Sequence, residues 1–162
     1  MKTNIVVINN IIYNLVDNYA SIIDIANECC NELTFVPNIY VDGKTYYVIE
    51  EFNYSILSKC YNLERIITEY GCKHLYAYNG ILYIQKYGGN YELKHVPRCY
   101  PHKFIILPFG CRYIPSYSFI QTNIKVLYLN ELVYINIPEQ IKYIVYTYNL
   151  IINNKKGVYK II

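Results

Sequence analysis

Val48-Ile49-Glu50-Glu51-Phe52-Asn53 is answered by Ile66-Ile67-Thr68-Glu69-Tyr70-Gly71, and this pair of hexapeptides decides how the chain is read. Two apolar residues, two variable ones, an aromatic and then Gly or Asn recur at 83–88, 105–110 and 144–149. A looser copy is Val126-Leu127-Tyr128-Leu129-Asn130-Glu131. The anchors at 52, 70, 87, 109, 130 and 148 are 18, 17, 22, 21 and 18 residues apart. A period near twenty predicts a solenoid, in which each strand-and-return unit buries its apolar side only by stacking on its neighbours. Residues 60–78 and 99–117 also align without a gap, sharing Cys60/Cys99, Tyr61/Tyr100, Ile66/Ile105, Ile67/Ile106, Gly71/Gly110, Cys72/Cys111 and Tyr78/Tyr117.

Composition supports a strand-rich fold. Of 162 residues, 54% are hydrophobic and 17% charged, with 22 Tyr and no Trp. There are 27 Ile. Branched and aromatic side chains suit a pleated, half-buried surface. So little charge leaves apolar surface to be covered by a partner or a second copy, and a homodimer is expected. The net charge of +3 is scattered, densest at Lys94, His95, Arg98, Lys103 and Arg112. That is no basic stripe, so nucleic acid is not an expected partner. The start lacks the long apolar core of a signal peptide, and no apolar run is long enough to cross a membrane as a helix. The six cysteines are therefore expected reduced.

Along the chain, Asp17 or Asn18 is placed to cap a helix over about 17–33, whose apolar stripe would be Ile22, Ile23, Ala26, Cys30 and Leu33. Asp42-Gly43 between strand formers predicts a two-residue hairpin. Residues 1–45 thus form an N-terminal cap, 46–152 a solenoid of about six units, and 153–162 a C-terminal hairpin cap, in one structural domain. Within each unit an apolar spacing of φ-x-x-φ-x-φ places residues such as Ile67, Tyr70 and Cys72 toward the core. The successive strands would then build a parallel sheet along one wall.

That spacing resembles leucine-rich repeats, with Ile and Tyr in leucine places. Ile137-Pro138-Glu139-Gln140-Ile141-Lys142-Tyr143-Ile144-Val145-Tyr146-Thr147-Tyr148-Asn149 resembles the Leu-Pro-x-x-φ-x-x-φ-x-φ-x-x-Asn form of that family. Phe104-Ile105-Ile106-Leu107-Pro108-Phe109-Gly110-Cys111-Arg112-Tyr113-Ile114-Pro115 is similar to the FNIP repeat of amoebae and the giant DNA viruses that infect them. The resemblance covers roughly residues 46–152. It implies a short right-handed leucine-rich-repeat-type solenoid, mainly β with an N-terminal helix, used for protein–protein contact without a cofactor in the cytoplasm of an infected host cell. FNIP proteins often carry an F-box, and Ala20–Cys30 resembles its second helix. A ubiquitin-ligase adaptor built on residues 5–35 is therefore an alternative.

Chemistry-bearing clusters are sparse. Cys72, His74, Cys99 and His102 offer two thiols and two imidazoles, so a zinc-binding domain or enzyme is a further alternative, though their spacing matches no standard finger or ribbon. No thiol is singled out as a nucleophile. Glu50-Glu51 and Glu64/Glu69 read as solvated strand edges, and Gly88-Gly89 lacks a phosphate-loop context. A non-catalytic protein is expected. The outward row preceding each aromatic is Glu51, Glu69, Lys86, Pro108, Leu129 and Thr147. Glu51, Glu69, Lys86 and Leu129, with Tyr128 and Tyr146 nearby, are the candidate partner-binding residues.

Overall fold

Short strands joined by tight turns make up nearly all the regular structure. The structure, a computed structural model, describes residues 4–129, 134–135 and 140–146. In chain order the strands are β1 (Asn4–Ile8), β2 (Ile11–Val16), β3 (Tyr19–Ile25), β4 (Glu32–Phe35), β5 (Asn38–Val41), β6 (Lys44–Ile49), β7 (Arg65–Thr68) and β8 (Leu75–Tyr78). There follow β9 (Ile81–Gln85), β10 (Tyr91–His95), β11 (Phe104–Ile106), β12 (Cys111–Ile114), β13 (Val126–Leu129), β14 (Tyr134–Ile135) and β15 (Tyr143–Tyr146). Short 3-10 segments lie at Tyr54–Lys59, Tyr87–Gly89 and Ser116–Phe119.

The strands form separate sheets ordered β1-β2-β3-β6-β5, β14-β12-β10-β9-β8, β11-β13-β15 and β4-β7. This corrects the expected solenoid with one continuous parallel sheet. Three hexapeptide copies do lie side by side, in the parallel ladder Ile105↔Leu127↔Ile144. The copy at 66–71 pairs instead with β4, through Leu33↔Ile66, and Arg65 and Glu32 form an ion pair across that ladder. The copy at 83–88 starts in β9, antiparallel to both its neighbours, and the copy at 48–53 begins in β6, antiparallel to β5. Similar short motifs thus serve different pairings, because pairing depends on which edge is free when the loop closes.

The N-terminal helix expected over about 17–33 is also corrected: those residues supply β3 and β4. Asp17 has φ +56 and turns the chain between β2 and β3 rather than capping a helix. Ala20 and Ile22 alternate inward at the strand period, and Ala26, placed on the helical stripe, is exposed. With apolar residues this dense, both periods find matches, and pairing with β2 decides between them. The F-box-like reading loses its helix here. The Asp42-Gly43 hairpin forms as expected, with φ of +50 and +81 joining β5 to β6. The proposed C-terminal hairpin, residues 153–162, lies outside the described residues.

Two apolar cores share one wall. Leu82 and Ile84 of β9 face a core with Ile11, Tyr13, Leu33, Phe35 and Leu57. Ile81 and Tyr83 of the same strand face a second core with Leu93, Ile105, Phe119, Leu127 and Ile144. An unbroken Ile-Leu-Tyr-Ile run is what two-sided burial demands. Each fully buried aliphatic side chain there contributes about 1.5–3 kcal/mol.

Tyr13 is fully buried, and among the described residues its hydroxyl has no hydrogen-bond partner. Burial pushes its pKa up to about 12. Removing an unsatisfied buried hydroxyl relieves a desolvation penalty, so Tyr13→Phe is expected to leave stability unchanged or raise it by up to about 1 kcal/mol. A urea titration checks this; a clear loss would mean that the hydroxyl holds a bound water.

Candidate functional site

The aromatic–glycine step of the repeat is a turn. Cys72 N–H donates to Glu69 O at 3.3 Å, closing Glu69-Tyr70-Gly71-Cys72, and Cys111 N–H donates to Pro108 O at 3.1 Å, closing Pro108-Phe109-Gly110-Cys111. The third position needs positive φ, which Gly71 (+104) and Gly110 (+85) supply. Lys86 N–H donates to Asn90 O at 2.7 Å across the related loop holding Tyr87, Gly88 and Gly89. The second position of such a turn points away from the body. Tyr70 and Tyr87 are accordingly fully exposed and Phe109 is 78% exposed.

These turns share one end of a sheet. Leu75 pairs with Ile84, Gln85 with Tyr91, and Tyr91 with Cys111. Gln85 N–H donates to His74 O at 2.7 Å, and Tyr91 N–H to Gly110 O at 2.7 Å. The turns pack tightly: a Cβ on Gly110 would sit 3.2 Å from Gly89 O, and one on Gly71 3.2 Å from Pro37 Cγ. The aromatic tips therefore line an edge about three strand spacings long, roughly 15 Å.

The residues singled out from the row fall unevenly. Glu69 and Lys86 are exposed on these turns, each just before an aromatic tip. Glu51 is exposed, but the Phe52 beside it is half-buried, stacked on Phe35 at 5.5 Å. Tyr128 is exposed away from the edge, its ring edge-on to Phe104 at 5.7 Å. Pro108 is buried, and Leu129, expected outward, is 1% exposed in the second core. Leu129 thus presents no contact surface, because β13 buries Leu127 and Leu129 together and turns Tyr128 outward. Tyr146 ends β15 and its side chain is outside the described residues, as is all of Thr147.

Tyr70, Tyr87 and Phe109 were expected in the core. The signal against that expectation was the following Gly, which marks a turn rather than a strand. Beside the edge lies a second feature with no local signal. Glu92, buried on β10, binds Lys86 Nζ at 2.9 Å and Lys94 Nζ at 2.7 Å, and Tyr117 donates its hydroxyl at 3.3 Å. Burial alone would raise the Glu92 carboxyl, but the two ammonium groups hold it below its usual range. Lys94 also lies over the Tyr54 ring at 5.2 Å. Tyr54, Lys94, His95 and Tyr117 line a pocket of about 410 Å³ with Phe52 and Ile120.

The residues considered for zinc have separate contacts. Cys72 Sγ donates to Phe35 O at 3.7 Å, Cys99 Sγ to Tyr61 O at 3.3 Å, and His102 packs against Tyr100 and Phe104. Among the described residues, no group of three or more His, Cys, Asp or Glu could hold a metal ion.

No protein-family model matches the chain, and no curated protein matches it. The chain has a distant structural likeness to a leucine-rich cell surface protein from Faecalibacterium prausnitzii A2-165, with TM-score 0.42 and 14% identity over 72% of this chain and 26% of that one. A second solved structure, the pneumococcal vaccine antigen PcpA, matches at TM-score 0.33 and 10% identity over 88% of this chain and 66% of that one. Neither likeness bears on what this chain does.

Proposed function

We propose that this chain is a non-catalytic protein-interaction module whose contact surface is the turn edge carrying Tyr70, Tyr87 and Phe109. The supporting observation is the exposure of three large aromatics at the tips of packed turns along one sheet end. Aromatic anchors dominate interface energetics, and turns held by backbone hydrogen bonds present them at little ordering cost. Glu69 and Lys86 flank the tips with opposite charges suited to an interface rim. The resemblance to repeats of giant viruses makes a host protein in the cytoplasm of an infected cell the partner to seek.

The test is quantitative capture with wild type and with a Tyr70→Ser/Tyr87→Ser/Phe109→Ser variant. Because these side chains are exposed, the triple change is expected to leave the melting transition nearly in place. Each aromatic anchor removed is expected to weaken a specific complex by about tenfold or more. Equal recovery of the same proteins by both forms would refute the assignment.

A further inference from the structure

The sheet β1-β2-β3-β6-β5 is apolar on both faces. Its inner face carries Ile11, Tyr13, Leu15, Ala20, Ile22 and Ile39, all buried. Its outer face carries Ile5 (58% exposed), Val7 (57%), Tyr19 (55%), Tyr40 (71%), Tyr47 (59%) and Ile49 (41%). Register places these together: Tyr19 lies opposite Tyr47, Ser21 opposite Ile49, and Asn14 opposite both Ile5 and Ser21. A sheet covered on one side only normally alternates apolar inward with polar outward. Here six outward positions carry large apolar or aromatic side chains among a few small polar ones, closer to the pattern of a sheet covered on both sides.

We infer that the outer face of this sheet is the interface between two copies of the chain, packed sheet on sheet. Two observations select a second copy as the occupant. First, size: six large outward side chains, each between 41% and 71% exposed, spread over all five strands but β2, a patch on the scale of the roughly 800 Å² that each partner buries in a stable interface. Second, charge: in a two-fold interface a charge close to the axis meets its own copy, so a self-complementary face is favoured when its centre carries no unpaired charge. Among the described residues, the other outward positions of this face include Asn14, Ser21, Asn38 and Thr45. Asp24, at the bulge where β3 carries an extra residue, is already paired with Lys59 at 2.7 Å. This face belongs to a different sheet from the one whose end carries Tyr70, Tyr87 and Phe109, although the Tyr70 turn packs on Pro37 just before β5.

Light scattering and sedimentation of the full chain across a concentration series provide the test. Wild type is expected to be a dimer at high micromolar concentration. Tyr47→Lys, which places two like charges near the centre of the joined faces, is expected to weaken it by roughly thirtyfold or more. Should that variant fail to fold, a photocrosslinking residue at position 40 in the otherwise native chain is expected to give covalent dimers, while one at position 87 gives none. The variant lacking the three aromatic tips is expected to stay dimeric, which separates this interface from the binding edge. A strict monomer, a dimer indifferent to Tyr47→Lys, or crosslinking through 87 and not 40 would overturn the inference.

Discussion

Glu50→Ala is expected to lower the unfolding free energy by about 3 kcal/mol, the largest loss from any single polar substitution in the chain. Glu50 follows β6 and is 7% exposed. Its carboxylate accepts three backbone amides, from Lys73 at 2.7 Å, His74 at 2.6 Å and Leu75 at 2.7 Å. Those amides lead into β8, so one side chain ties the first sheet to the second. Alanine strands the Leu75 amide in a buried position and removes charge-assisted bonds from the other two. Glu50→Gln keeps the shape but turns an NH₂ group toward donors, so about 2 kcal/mol of loss is expected from it. Urea unfolding of both variants measures the effect. A loss under about 0.5 kcal/mol for Glu50→Ala would mean that water replaces the carboxylate without cost.

His95 is expected to make the protein acid-sensitive well above the range where carboxylates titrate. It ends β10, and among the described residues its buried Nε2 has no partner. Burial lowers its pKa from 6.5 to about 4, so the imidazole is neutral in the native state. The unfolded chain binds the proton more readily. The stabilisation is therefore complete above about pH 6.5 and is lost progressively as the pH falls toward about 4. By about pH 5 the loss from this residue is roughly 2 kcal/mol. His95→Gln removes the titration, and the unfolding free energy of that variant is expected to fall less between neutral pH and pH 5 by about that amount. Parallel pH profiles for wild type and variant would show that the imidazole reaches solvent before it is protonated.

Aligning residues 60–78 with 99–117 captured real local correspondence. Ile66 and Ile105 are both buried strand residues, Tyr70 and Phe109 both exposed tips, and Gly71 and Gly110 both turn residues with positive φ. What the alignment did not carry was partnership, since β7 pairs with β4 and β11 with β13. The candidate site was half legible for the same reason. Glu69 and Lys86 were placed on a contact row and lie beside the aromatic tips, whereas Leu129 was assigned one residue out of phase. A single-residue shift exchanges the faces of a strand, and a run such as Val126-Leu127-Tyr128-Leu129 allows either phase. Glu50, read as a solvated strand edge, is instead buried, and Glu92 carried no signal, because their partners arrive from loops and strands that only the finished fold brings close.

The predominance of strand and the Asp42-Gly43 turn were determined by the sequence alone, because both rest on short-range sterics. Ile and Tyr favour extended backbone, and Asp42-Gly43, Gly71 and Gly110 occupy conformations that most side chains resist. Which strands pair, which face is covered, and that residues 19–25 extend instead of coiling were decided by the tertiary structure. With apolar residues on both sides of so many strands, burial is no longer a property of a segment but of whatever the assembled sheets leave dry.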